Sequence, residues 1–248
     1  MNSDFMAEQK IEKDRKIYQD VFDALTLRTI ETHIARKNIA DVEGIVKSGK
    51  EAQIFRASTP TKKQVIIKIY MIETSSFQNM ADYIIGDHRF YSVAKNKRKL
   101  VYLWCAKEFR NLKKAHSAGV SVPEPHVFLN NTLVMELIGD NSSPSPQLID
   151  IELENPQKMY GAVLSNMKKL YFEAGLVHAD LSEYNILVKD GNPVFIDMGQ
   201  SVLPDHPMAK EFLERDVRNI VNYFNKQGLK LDCKKVMEEF RDSHISKT

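Results

Sequence analysis

The sequence predicts an α+β protein with two lobes: an N-terminal lobe built on an antiparallel sheet with one long helix, and a mostly helical C-terminal lobe. Runs rich in β-branched and aromatic residues, typical of strands, lie at 52–58, 65–70, 126–130 and 132–138. One long segment among them, 99–118, has apolar residues at helical spacing. The most loop-like stretch, DNSSPSPQ at 140–147, separates these elements from a second half that is richer in helical segments.

The composition predicts a soluble protein of the cell interior. The 248 residues are 43% apolar and 27% charged, which suffices for a full hydrophobic core. A formal net charge of +2 is too small to indicate nucleic-acid binding by itself. The two cysteines lack metal-ligand spacing, and no apolar run approaches the roughly 18 residues that span a bilayer. We therefore expect a cytoplasmic protein without membrane contact, and the sequence leaves its oligomeric state open.

Three units are predicted along the chain. Residues 1–40 form an N-terminal helical extension, because apolar residues recur there at helical spacing. The N-lobe is predicted over 41–139 and the C-lobe over 140–248. Within the N-lobe, the runs AQIFRAS and VIIKIY flank the polar turn TPTKKQ and predict a β-hairpin. The stretch 73–99 follows no sustained period, and we interpret it as a long, partly mobile insertion.

Glycine, asparagine and proline residues mark the ends of the other elements. Glycine suits the left-handed conformation that often ends a helix, and proline suits the first helical position. Two amphipathic helices are predicted after Met208. The remaining predicted ends are Gly119 for helix 99–118, Asn130 and Asn131 for a strand pair, Asn155–Pro156 and Gly175 for a helix, and Asp190–Gly191 for a hairpin.

The strongest chemical signal is HADLSEYN at 178–185, followed by Asp197 after the predicted hairpin. Asp180 and Asn185 share one short loop, and the hairpin turn brings Asp197 back toward them. Phosphoryl transfer needs a carboxylate that positions the acceptor and oxygen ligands for a divalent cation. Taken singly, each residue is better explained by capping of loop or turn backbone groups. Their combination and spacing predict a phosphoryl-transfer site.

Lys68 and Glu108 are the candidate phosphate-binding residues of that site. Lys68 lies within a strand of branched aliphatic residues, where burying a lysine without a partner costs several kcal/mol. Its side chain therefore points either to solvent or to an anion. Glu108 lies on the predicted long helix, where a kinase would have the partner of this lysine. An exposed helix residue paired with basic neighbours is the alternative for Glu108.

The stretch GIVKSGK at 44–50 matches most of a P-loop but lacks its context. A P-loop needs Ser or Thr next and a helix after it, so that phosphate meets a helix N-terminus. Glu51 and a predicted strand follow here instead. We interpret the stretch as a loop between two strands that covers phosphates with backbone N–H groups, Ser48 and Lys50. An ordinary hairpin turn is the alternative.

Six motifs in one order resemble the RIO-type atypical protein kinases, specifically their type-1 branch in a compact, archaeal-like form. The resemblance extends from about Val42 to Gly228. The motifs are SGKEA (48–52), VIIK (65–68), KEFRNL (107–112), VMELIG (134–139), LVHADLSEYN (176–185) and IDMGQSV (196–202).

The resemblance implies a two-lobed protein-kinase-like fold that uses ATP and Mg²⁺ or Mn²⁺. By it, Asp180 is the catalytic aspartate, and Asn185 and Asp197 are metal ligands. Met135 to Ile138 would be the hinge that receives adenine. The implied nucleotide-binding residues are Ser48, Gly49, Lys50, Glu51, Ala52, Lys68, Glu108, Met135, Glu136 and Ile138.

Like the RIO family, the chain lacks some segments that ordinary protein kinases have. Asp-Met-Gly at 197–199 replaces Asp-Phe-Gly, and no Ala-Pro-Glu segment follows. About fifty residues remain after Asp197, too few for a full activation segment and peptide-binding subdomain. RIO proteins are regarded as assembly factors of the small ribosomal subunit. The resemblance therefore implies ATP hydrolysis or serine/threonine phosphorylation on a subunit precursor, with Asp197 as a candidate phosphoaspartate.

Two surface features stay open at the level of sequence. Ser75, Ser76 and Ser92 are candidate autophosphorylation sites in the predicted insertion. The basic cluster Lys95, Lys97, Arg98 and Lys99 is either a solvated surface or a contact for ribosomal RNA phosphates.

Two other functions compete with the RIO interpretation. A small-molecule kinase of the aminoglycoside-phosphotransferase type shares the fold and a similar catalytic loop. A nucleotide-gated binding module on the maturing subunit would need little turnover.

Overall fold

The computed structural model describes residues 22–73, 80, 83–84, 87, 89, 96–140 and 143–241. The candidate autophosphorylation sites Ser75, Ser76 and Ser92 lie outside the described residues, as does Lys95 of the basic cluster. Residues 1–21, where a helix is predicted, and most of the stretch 73–99, which is predicted to be partly mobile, also lie outside the described residues.

A five-stranded antiparallel sheet forms the N-terminal lobe, as predicted. Its spatial order is β1-β2-β3-β5-β4. The predicted hairpin is confirmed as β2 and β3, and Asn130 and Asn131 form the turn of a second hairpin. The strands are β1 (Asp41–Ser48), β2 (Ala52–Ser58), β3 (Gln64–Tyr70), β4 (Pro125–Leu129) and β5 (Thr132–Glu136).

Two helices pack on opposite faces of this sheet. Helix α1 (Ala24–Ala35) covers one face, where its Leu27 and Ile30 contact a cluster that includes Ile67 and Ile69 of β3. Helix α2 (Lys97–Ser117) packs on the other face, beside β4 and β5. Helix α2 begins after the N-cap Asn96, two residues before its predicted start at position 99. Its predicted end is confirmed, because Gly119 adopts φ +71°.

The C-terminal lobe is mostly helical, and its predicted element ends are confirmed. Helix α3 (Pro156–Lys168) begins after the N-cap Asn155, continues as one π-helical turn (Lys169–Glu173) and stops at Gly175 with φ +54°. The Asp190–Gly191 turn has positive φ at both residues and joins a two-stranded ribbon. The other elements are a 3-10 turn (Leu148–Asp150), β6 (Ile186–Lys189), β7 (Asn192–Phe195), α4 (Ala209–Lys226) and α5 (Cys233–Glu238).

One hydrophobic cluster joins the two lobes into a protein-kinase-like fold. It includes Leu112 of α2, Leu133 of β5, Ile186 of β6 and Phe195 of β7. Only residues 198–208 separate Asp197 from α4, so the chain has no room for a full activation segment. Within the described ranges, no helix combines the length and the apolar composition needed to cross a membrane.

The described positions of the predicted insertion pack into this core. Met80 and Ile84 are buried, and the ring of Tyr83 stacks on Phe212 of α4 at 5.1 Å between centroids. Tyr83 also meets Trp104 of α2 edge-on at 6.1 Å. This part of the stretch therefore contacts both α2 and α4.

Candidate active site

A cavity of about 540 Å³ lies between the sheet and the C-terminal lobe, within the size range of small-molecule sites. Its polar lining includes Asn185 and Asp197, and its apolar lining includes Leu112 and Leu187. Two predicted site residues are not in its lining: Ser48, which is exposed at the end of β1, and Asp180. The predicted nucleotide-binding residues that line it are Gly49, Lys50, Glu51, Ala52, Lys68, Glu108, Met135, Glu136 and Ile138.

The glycine-containing loop is a tight connection between β1 and β2, which confirms the strand–loop–strand interpretation over a P-loop. The N–H of Gly49 donates to the carbonyl of Ala52 at 3.0 Å. A Cβ on Gly49 would lie 3.0 Å from that same carbonyl, so a side chain there would crowd the turn. The loop therefore brings its backbone to the edge of the cavity.

Lys68 bridges two carboxylates inside the cavity. Its Nζ lies 2.9 Å from Glu108 Oε1 and 3.0 Å from Asp197 Oδ1. Strand alternation explains its direction, because Ile67 and Ile69 face the α1 side of the sheet. Burial by itself would lower the pKa of Lys68, but the charges of Asp197 and Glu108 outweigh it and raise that pKa. Lys68 is thus a fixed cation in the cavity.

Glu108 and Asp197 respond differently to the same lysine. Burial raises the pKa of Glu108 to about 7, although Lys68 opposes the shift. Lys68 lowers the pKa of Asp197 more than burial raises it, and about half of the Asp197 side chain remains accessible. Asp197 therefore presents an ionised carboxylate to the cavity, while Glu108 holds Lys68 from behind.

Asp180 lies beside this group, held by two side-chain amides. Asn185 Nδ2 donates to the backbone carbonyl of Asp180 at 2.8 Å and to its Oδ2 at 3.2 Å. Gln200 Nε2 donates to the same Oδ2 at 3.2 Å. Burial and the charge of Asp197 raise the pKa of Asp180 to about 6. A carboxylate with this pKa is mostly ionised at neutral pH and can still accept a proton.

Asn185 and Asp197 suit a divalent cation that is shared with phosphates. Both line the cavity, and carboxylate and amide oxygens are the ligands that Mg²⁺ prefers. Among the described residues, no group of three or more His, Cys, Asp and Glu side chains forms a complete metal cage. Mg²⁺ at nucleotide sites takes one or two protein ligands and completes its shell with phosphate and water oxygens, which two residues can support.

Helix α4 fastens the loop that carries Asp180. Asp216, which is buried, accepts the N–H groups of Ala179 and Leu181, each at 2.8 Å. Asn219 Nδ2 donates to the Leu181 carbonyl at 3.0 Å, and Arg215 donates to the Ala179 carbonyl. Ala179 has φ +66°, a conformation that L-residues rarely adopt without such support.

Asp216 is a site residue that the sequence did not predict. The available signal was an aspartate inside the apolar stripe of α4, among Phe212, Leu213, Val217 and Ile220. A buried aspartate needs hydrogen-bond donors, but the stripe does not say which donors it meets.

His178 orients the same loop rather than exchanging protons. Its Nε2 lies 3.0 Å from the Ile196 carbonyl, which requires the N–H on that nitrogen. Burial lowers the pKa of His178 to about 4, so the ring is neutral at physiological pH. Through this bond the loop is tied to the residue that precedes Asp197.

A family model described as "RIO domain" matches residues 53–239 of the chain. Among curated proteins, the RIO-type serine/threonine-protein kinase Rio1 of Haloferax volcanii is 43% identical, over 88% of this chain and 74% of its own length. Rio1 of Methanocaldococcus jannaschii is 42% identical, over 91% of this chain and 77% of its own length. Human serine/threonine-protein kinase RIO1 is 35% identical, and the chain covers 41% of it.

Two solved structures share the fold. The Rio2 kinase from Chaetomium thermophilum superposes with a TM-score of 0.64 at 27% identity, over 79% of this chain and 60% of that one. The ADP/Mg²⁺-phosphoaspartate complex of Rio2 from the same organism gives 0.66 at 24% identity, over 85% and 64%. The chain thus spans less than two thirds of either Rio2 chain.

Proposed function

The chain belongs to the RIO family, and we propose that it is an atypical serine/threonine kinase and ATPase that acts in maturation of the small ribosomal subunit. The observation that carries the enzymatic part is the position of Lys68 Nζ, within 3.0 Å of both Glu108 and Asp197. This arrangement puts a cation and an ionised carboxylate at one end of a nucleotide-sized cavity. Phosphoryl transfer depends mainly on such positioning and charge.

Each wall of the cavity has a part in ATP binding. The segment Met135 to Ile138 would receive adenine, since it lines the cavity at the end of β5. The β1–β2 loop would cover the phosphates with its backbone, and Lys68 would bind their oxygens. Asn185 and Asp197 would hold the divalent cation, Mg²⁺ or Mn²⁺. That cation, when bound, neutralises phosphate charge.

Asp180 would position the group that attacks the γ-phosphorus. In transfer to a serine or threonine, the hydroxyl oxygen bonds to the γ-phosphorus, the bond to the β–γ bridging oxygen breaks, and ADP leaves. The hydroxyl proton goes to Asp180, whose raised pKa suits that step. In hydrolysis, water takes the place of the hydroxyl and inorganic phosphate is formed.

Asp197 is the second candidate acceptor. Its carboxylate oxygen would bond to the γ-phosphorus as ADP leaves, and water would then hydrolyse the acyl phosphate and restore the carboxylate. The half-exposed side chain supports this role. A Rio2 kinase that shares the fold has been solved as a phosphoaspartate complex.

The small-subunit precursor is proposed as the partner, in the cytoplasm, on the basis of the family resemblance. The described part of the basic cluster contributes unequally to such a contact. Lys99 is exposed near the start of α2, whereas Arg98 donates to Asp23, the N-cap of α1, at 3.3 Å. Exposed lysines at a helix end can contact RNA phosphates.

An ATP turnover assay with and without purified small-subunit precursors tests this proposal. Asp180→Asn and Asp197→Asn should each lower turnover by about 10²-fold or more, because each removes a carboxylate from the reacting centre. Asp190→Asn is the matched control, since Asp190 is exposed at the β6–β7 turn and Asn tolerates its positive φ. It should retain the parent rate.

The same assay separates the competing functions. Stimulation of turnover by the precursor supports the proposed partner. Turnover with a small alcohol, without binding to the precursor, would favour the aminoglycoside-phosphotransferase type. Nucleotide-dependent binding to the precursor with negligible turnover in the parent protein would favour the gated binding module.

A further inference from the structure

Helix α2 contacts the turn that follows Asp197 as well as Lys68. We call residues 198–201 the metal-site turn. Three side chains on one face of α2, at spacings of three and four residues, meet this turn: Trp104, Lys107 and Asn111. We call these three the turn cradle.

The cradle binds the carbonyl groups of the turn. Lys107 Nζ donates to the carbonyls of Gly199 and Ser201, at 2.8 and 2.5 Å. Asn111 Nδ2 donates to the carbonyls of Met198 and Ser201, at 2.8 and 2.9 Å. Three of the four carbonyls in the turn therefore point at α2, which fixes the backbone directly after Asp197.

The third contact is steric and leaves no space between turn and helix. A Cβ on Gly199 would lie 3.0 Å from Nε1 of Trp104 and 3.2 Å from Cε2 of the same ring. A side chain at this position would make the buried Trp104 ring move by a few tenths of an ångström, so glycine allows the turn to approach the helix this closely. Lys107 also lies 5.4 Å from the centre of the Trp104 ring.

A buried lysine is a costly way to hold a turn, so its contacts indicate what it does. Lys107 and Asn111 are both fully buried. The neighbouring carboxylate, Asp87, makes a close ion pair with Arg89 at 2.6 Å, and Arg89 also donates to Asn111 Oδ1 at 3.0 Å. The described partners of the Lys107 amine are the turn carbonyls, and either protonation state has hydrogens for both.

The next residue of α2 is Glu108, which holds Lys68 against the Asp197 carboxylate. One turn of α2 therefore acts on Asp197 from two directions. Glu108 sets the position of the cation beside its side chain, and the cradle sets the position of its backbone. A shift of α2 would move both together.

We propose that Lys107 and Asn111 are positioning residues that place Asp197 for metal binding, so that metal affinity depends on the position of α2. The inference rests on the proposed function, because it takes Asp197 as the ligand. Replacement of Lys107 or Asn111 should therefore lower the affinity for metal, although neither side chain touches metal or nucleotide.

Calorimetric titration of ADP, with and without Mg²⁺, tests the proposal without turnover. In the parent protein Mg²⁺ should tighten ADP binding. Lys107→Met should reduce that tightening about tenfold, while the Kd of ADP without Mg²⁺ stays unchanged. Lys113→Met is the matched control, since Lys113 is exposed on the same helix. It should behave as the parent does.

Two further variants keep the test decisive if Lys107→Met does not fold. Gly199→Ala displaces the turn from Trp104, and Asn111→Ala removes two of the carbonyl contacts. Both should reduce the effect of Mg²⁺ in the same way, and hydrogen exchange of the 198–201 amides should accelerate. A higher KM for ATP in the presence of Mg²⁺ should accompany these changes, because nucleotide and metal bind together.

The possible failures are distinguishable. Parent-like effects of Mg²⁺ in the folded cradle variants would overturn the positioning role and leave the proposed function intact. Absence of any effect of Mg²⁺ on ADP binding in the parent protein would overturn both.

Discussion

The loop that carries Asp180, the catalytic loop, and the metal-site turn are neighbours that touch through Gln200 and Asp180, yet they are held by opposite hydrogen-bonding groups. On the catalytic loop, N–H groups point at helix α4, and the buried carboxylate of Asp216 accepts them. On the metal-site turn, carbonyl groups point at helix α2, and the buried Lys107 and Asn111 donate to them.

The difference follows from the backbone conformation of each segment. Ala179, at φ +66°, turns neighbouring N–H groups to one side, and converging N–H groups favour an anion. The metal-site turn directs its carbonyls to one side, which favours a cation or an amide. The helix therefore supplies the acceptor or the donors that the converging backbone groups require. Because these groups are buried, each contact is costly to lose.

Removal of the Asp216 carboxylate should produce the largest effect. Asp216→Ala leaves two buried N–H groups unpaired, each worth about 1–3 kcal/mol, so the free energy of unfolding should fall by about 2–6 kcal/mol. Turnover should fall as well, because Asp180 loses its support. Denaturant unfolding and steady-state rates measure these losses. Asn219→Ala, which removes one donor to one carbonyl, is the control, and equal losses in both variants would contradict the anion-cradle interpretation.

Gly199→Ala should have an intermediate effect, on the other side of the comparison. The added methyl would lie 3.0 Å from the Trp104 ring, and crowding of this kind costs about 1–3 kcal/mol. Gly161→Ala in helix α3 is the matched control, because nothing lies within 4 Å of its added Cβ. That change should instead stabilise the protein by about 0.5–1 kcal/mol. Thermal unfolding should show shifts of opposite sign.

Per pH unit, the pH dependence of stability should give the smallest and most selective signal. Burial raises the pKa of Asp216 to about 7 and lowers that of Lys107 to about 7. Arg215 and Asp180 also act on Asp216, and Asp87 and Arg89 act on Lys107. The two buried anchors should therefore titrate in the same region with opposite consequences.

The sign follows from the protons bound in each state. Between about pH 4 and 7 the folded protein retains the Asp216 proton that the unfolded chain has released, so stability falls with pH relative to Asp216→Asn. Between about pH 7 and 10.5 the folded protein has released the Lys107 proton, so stability rises with pH relative to Lys107→Met. Each slope is at most about 1.4 kcal/mol per pH unit. Parallel curves for parent and variants would contradict the shifted pKa values.

Much of the fold could be predicted because its signals are local. Gly119, Gly175 and the Asp190–Gly191 turn adopt positive φ where the sequence predicts it, and Asn155 caps its helix. These features depend on residues that are neighbours along the chain. The predicted unit boundaries at 40 and 139 stay predictions, since lobe borders depend on packing rather than on local pattern.

The candidate site was predictable where several residues form one motif. Asp180 and Asn185 are five residues apart, and their contact needs only a short loop. Lys68 and Glu108 are forty residues apart, and their pairing was inferred from family resemblance before the structure brought them to 2.9 Å. Ser48 was predicted from its motif, but the direction of a loop side chain depends on the turn geometry, and it lies outside the cavity lining.

The sequence by itself determined the strands, the helix ends and the set of residues able to carry phosphoryl transfer, because periodicity and turn chemistry act over a few residues. Only the tertiary structure decided that Asp216 meets the catalytic loop and that Lys107 and Asn111 meet the metal-site turn. These contacts join residues 35 to 94 positions apart, and the partners are backbone groups, which every residue has. A backbone N–H or carbonyl leaves no mark in the sequence, so its partner emerges only when the chain folds into its tertiary structure.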